Sequence, residues 1–102
     1  MRFLVLDKLI NLEDGYRRRF KIDALELILA KEGNEIFAFG AVCPHQEQIL
    51  DDATIECQVI ICPRHGFSFS LRSGAHVEGL CTSLPIYDVH FEGNEVGVLL
   101  ES

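Results

Sequence analysis

Apolar residues come in short bursts along this chain, several with a period of two, and Gly, Asn, Asp or Pro breaks the bursts apart. A period of two marks a strand with one buried and one wet face. Residues 25–30 and 35–39 flank Gly33-Asn34 and read as a hairpin, because glycine supplies the positive φ that tight hairpin turns require. The tetrapeptide Glu-Gly-Asn-Glu at 32–35 returns at 92–95. Before the second copy, Tyr87, Val89 and Phe91 alternate with Asp88, His90 and Glu92; after it, Val96, Val98 and Leu100 continue the apolar face. The echo is turn chemistry and marks a second hairpin. Further strands are predicted at 4–6, 18–22, 55–61 and 67–71. So many short strands with little helical period predict an all-β class built of packed antiparallel sheets.

Composition narrows the possibilities. With 102 residues the chain makes one domain, shorter than most enzymes use to wall a substrate pocket. A hydrophobic share of 48% speaks against disorder. No run approaches the roughly eighteen apolar residues of a membrane span. The first apolar run ends at Asp7, too short for a signal peptide, so the expected location is the cytoplasm. Nine basic against sixteen acidic residues leave a net charge of −7, which disfavours nucleic acid and anionic membrane and favours docking on basic patches of other proteins.

The chemistry lies in two clusters, Cys43-Pro44-His45 and Cys62-Pro63-Arg64-His65-Gly66, with sixteen residues between His45 and Cys62. One Cys and one His in each of two loops is a metal-ligand pattern. Two side chains of one loop that grip a single ion usually have two to four residues between them, as in zinc sites. CxH is tighter than that. A loop whose Cys goes to one iron and whose His goes to its neighbour escapes the constraint, so two such loops suit a 2Fe-2S cluster, cysteines on one iron and histidines on the other. A structural zinc module on the same four residues is the remaining reading of the spacing.

CxH followed by CPxHG resembles the signature of the Rieske iron-sulfur family, over roughly residues 40–72. The resemblance implies a Rieske-like antiparallel β-sandwich base, residues 1–40 and 83–102, carrying a small cluster-binding lobe, residues 41–82. It implies one 2Fe-2S cluster held by Cys43, His45, Cys62 and His65. Two thiolates and two neutral imidazoles leave the oxidised site uncharged, so the potential is expected within the Rieske range of roughly −150 to +300 mV. It is also expected to depend on pH in alkaline solution. Members of the respiratory branch carry an extra Cys in each loop and join them by a disulfide, where this chain has Gln48 and Arg64. The chain is more similar to the ferredoxin branch, with a potential in the lower part of the range. That implies a soluble ferredoxin, not itself an enzyme, which takes single electrons from a flavin-containing NAD(P)H-dependent reductase and passes them to a terminal ring-hydroxylating oxygenase. A Rieske-like small subunit of an assimilatory nitrite reductase is the alternative within the resemblance.

The neighbouring residues have expected roles too. Pro44 and Pro63 stiffen the loops, and Gly66 permits close backbone approach to the inorganic sulfides. Phe67 and Phe69 are expected to pack beneath the loop. Glu47, Asp51, Asp52 and Glu78 lie near the loops in sequence and are the expected acidic contacts for partners. Cys57, in the alternation Ile55, Cys57, Val59, Ile61, reads as an inward strand position and a buried structural thiol. Cys81 is likewise expected to pack. His76, in a loop, and His90, on the polar side of a strand, are expected at the surface. Residues 74–80, where relatives often carry a proline-bearing loop over the cluster, contain no Pro.

Overall fold

The computed structural model describes residues 2–42, 49–62, 67–77 and 83–100. Its strands are β1 (Arg2–Lys8), β2 (Arg17–Ile22), β3 (Leu25–Glu32), β4 (Glu35–Gly40), β5 (Thr54–Glu56), β6 (Val59–Ile61), β7 (Ser68–Ser70), β8 (Ile86–Glu92) and β9 (Glu95–Leu100). A single 3-10 turn, Leu9–Asn11, is the helical element among the described residues. Both predicted hairpins form, with Gly33 at φ 61° and Gly93 at φ 59°.

Six strands make one antiparallel sheet in the order β1-β9-β8-β4-β3-β2. The joint between β4 and β8 is short, only Ala38 opposite Tyr87 and Phe39 opposite Ile86. The two three-stranded halves turn toward each other about this joint and bury Leu27, Leu29 and Ala38 of one against Val96 and Val98 of the other, with Leu4, Leu6, Phe20 and Val89 around them. Gly97 lets β1 come close, because a Cβ there would press on the Leu4 carbonyl.

The other three strands form a small sheet, β5-β6-β7, which lies on the outer side of β3 and β4. Ile28, Ala30, Phe39 and Ala41 pack there against Ile60, Cys62, Phe69 and Leu71, with Leu50, Ala53 and Leu84 completing the core. Successive residues of β3 thus enter different cores, and Leu27 to Ala30 are all buried. That is why this strand, like Ile36 to Phe39 of β4, reads as a near-continuous apolar run. Each fully buried side chain of this kind contributes about 1.5–3 kcal/mol.

Residues 55–61 do not form one strand. The chain turns at Cys57 and Gln58, both at positive φ (50° and 65°), so that Ile55 pairs with Ile60. A two-residue turn changes the parity of the alternation. Ile55 therefore shares its inward face with the buried Ile60, and Cys57 sits at the tip as an exposed free thiol instead of a core position. Gln58 fixes the turn in place by bonding the Glu35 carboxylate at 2.7 and 2.8 Å and accepting from Arg72. Phe91 also departs from expectation, being 46% exposed near the end of β8.

Candidate functional site

Cys62 follows β6 directly and is 2% exposed. Its amide donates to the Phe67 carbonyl at 2.7 Å, which ties together the two ends of the connection from β6 to β7. The earlier segment is fastened the same way: Val42 bridges Ile49, and the Leu50 amide donates to Ala41 at 2.9 Å. Ala41, Leu50 and Cys62 belong to one buried cluster, with Val42 and Phe67 packed against it. The feet of both segments predicted to carry ligands therefore stand on a common apolar floor.

A third segment runs beside them. Gly74, at φ 81°, turns the chain back so that residues 75–77 lie along β7: the Ser70 amide donates to Ala75 at 3.0 Å, the Val77 amide to Ser68 at 2.9 Å, and Phe69 bridges His76. The expectation of a surface His76 is overturned here. His76 is 6% exposed, its ring 4.8 Å from that of Phe67 and 5.4 Å from that of Phe69. Periodicity misses this because the turn at Gly74 reverses the chain between Phe69 and His76; Ser73-Gly74 was the available signal. His90 is half-buried on the outer face, edge-on to Phe3 at 5.2 Å. Phe67 and Phe69 do pack into the floor.

Of the predicted ligands, Cys62 stands in the floor, whereas Cys43, His45 and His65 lie outside the described residues, as do Pro44, Glu47, Gln48, Pro63, Arg64, Gly66, Glu78 and Cys81. Among the described residues no three His, Cys, Asp or Glu side chains gather as a metal site. A buried thiol at Cys62, on a floor shared with the residues that flank the Cys-x-His sequence, fits an iron-sulfur group, for which thiolate and imidazole donors are suited. Asp51 and Asp52 are exposed beside the first segment, and Asp51 pairs with Arg19 at 3.9 Å.

The Rieske [2Fe-2S] domain matches residues 3–88, and the chain belongs to that family. It is 30% identical over 92 residues to the ferredoxin component of biphenyl 2,3-dioxygenase from Rhodococcus jostii (strain RHA1), covering 89% of this chain and 86% of that protein. Its fold matches the ferredoxin of carbazole 1,9a-dioxygenase from Nocardioides aromaticivorans IC177 with a TM-score of 0.82 at 27% identity, over 99% of this chain and 100% of the other. It also matches a chain in a complex of reduced oxygenase and oxidised ferredoxin of carbazole 1,9a-dioxygenase, TM-score 0.80 at 26% identity, over 94% and 100%.

Proposed function

We propose that this protein is a Rieske ferredoxin, a carrier of single electrons from a flavin-containing NAD(P)H-dependent reductase to a terminal ring-hydroxylating oxygenase. The observation that carries the reading is similarity to ferredoxin components of oxygenase systems along almost the whole chain. The proposed ligands are Cys43 and Cys62 on one iron and His45 and His65 on the other. Their support is the CxH and CPxHG spacing together with the common floor beneath both segments. When bound, a 2Fe-2S cluster supplies a centre that takes up and returns one electron.

The residues of the chain do the holding. The Cys62 amide, tied to Phe67, fixes the backbone from which its sulfur projects, and the Val42 to Ile49 bridge does the same for the other segment. Ala41, Leu50, Ile60 and Phe69 keep water from below. A carrier of this kind needs no catalytic acid, base or nucleophile of its own. We place the cluster-binding lobe at 41–82 and the base at 1–40 and 83–102. Residence in the cytoplasm goes with a reductase supplied by NAD(P)H.

Metal and sulfide analysis, followed by mixing with NAD(P)H and a flavoprotein reductase, tests the proposal. The expected result is two irons and two sulfides per chain and a visible spectrum that bleaches on reduction. A colourless protein with one zinc per chain contradicts it. Permanent co-purification with a large partner would point instead to an enzyme subunit.

A further inference from the structure

His76 is not among the proposed ligands, yet its surroundings are those of a built position. The imidazole is almost fully buried, and hydrogen bonds on both sides, Ser70 to Ala75 and Val77 to Ser68, hold its backbone against β7. The ring lies tilted at 43° against that of Phe67, whose carbonyl accepts the Cys62 amide, and in a T-shaped contact at 69° with that of Phe69 in the floor.

We infer that His76 is a positioning residue for the cluster site: its ring pins Phe67, and through the hydrogen bond from the Cys62 amide to the Phe67 carbonyl it holds the backbone of Cys62. The inference rests on the ferredoxin reading. Without the ring, Phe67 loses one wall and water reaches the floor. Water favours the redox state of greater charge. With two thiolates and two neutral imidazoles the oxidised site is neutral and the reduced site carries one negative charge, so admitting water makes reduction easier.

The test is the reduction potential and the electron paramagnetic resonance of four variants beside the wild type. His76→Ala is expected to raise the potential and shift the g values of the reduced protein. Phe67→Ala should do the same, and the double variant no more than either single one, because both remove the same contact. His76→Phe, which restores a ring, should return the potential to that of the wild type. If His76→Ala fails to fold, Phe67→Ala decides: a raised potential supports the inference and an unmoved one overturns it. A folded His76→Ala with unchanged potential and g values, even if it melts lower, overturns it. So do additive shifts in the double variant. A wild type without a cluster overturns the ferredoxin reading as well, whereas a coloured wild type with unmoved variants overturns this inference alone.

Discussion

Asp7 reads in the sequence merely as the residue that ends an apolar run, yet its carboxylate accepts from the Tyr16 hydroxyl at 2.5 Å, the Asn11 amide at 2.8 Å and the Lys8 backbone at 2.7 Å. The Tyr16 hydrogen bond, followed by those from Asn11 and Lys8, holds Asp7 below the usual carboxylate range. Burial, and then Asp7 itself, pushes the Tyr16 phenol above its ordinary value. The signs follow by linkage. Asp7 is lowered on folding, so its contribution is whole above its unfolded value of about 4 and is lost as the pH falls through the folded one. Tyr16 is raised, so its contribution is whole below about 10 and is lost as the pH climbs toward the folded value. Tyr16→Phe is expected to cost about 1–3 kcal/mol near neutral pH. It should also flatten the acid limb of stability, measured by urea unfolding between roughly pH 2 and 5, where the Asp7 contribution is lost; an unchanged acid limb would contradict the pairing. Cys57 and His76 were misread for a related reason. Each depends on a positive φ, at Cys57 and Gln58 in one case and at Gly74 in the other, and a single turn residue reverses which neighbours a side chain meets.

Strand patterning was far more legible than the ties between strands. The hairpins β3-β4 and β8-β9 follow from alternation around Gly-Asn, because their contacts are local in sequence. Arg17 shows what alternation cannot reveal. It lies on β2, donates to the Asp51 carbonyl at 3.0 Å and to the Ala53 carbonyl, and pairs with Glu32 at 3.5 Å. Those carbonyls are 34 and 36 residues away in sequence. The guanidinium thus staples the stretch that follows the first predicted ligand segment to the edge of the large sheet. Arg17→Ala is expected to cost about 2 kcal/mol. Amide hydrogen exchange at Leu50 and Ala53, which donate to Ala41 and Leu50, should quicken, while exchange in the β8-β9 hairpin stays as in the wild type once the global loss is subtracted. Equal acceleration at both places would show that Arg17 supports the fold generally instead of this foot.

At the scale of the molecule, the central pair β3-β4 separates two cores, one inside the bent six-stranded sheet and one beneath the small sheet. The all-β class could be read from the alternation, but the strand order β1-β9-β8-β4-β3-β2 could not, since pairing across such distances leaves no periodic trace. The site divides similarly. The CxH and CPxHG spacing points to the Rieske family from sequence alone, while the floor that Ala41, Leu50, Cys62 and Phe69 form comes from residues spread along the chain with no periodic trace. The most direct measurement is pulsed electron paramagnetic resonance of the reduced protein with its histidines labelled with nitrogen-15. The account predicts an average g value below that of an all-cysteine 2Fe-2S cluster, with coupling to the nitrogens of two histidines that disappears stepwise in His45→Cys and His65→Cys. A spectrum of all-cysteine type, or one without histidine coupling, would contradict it.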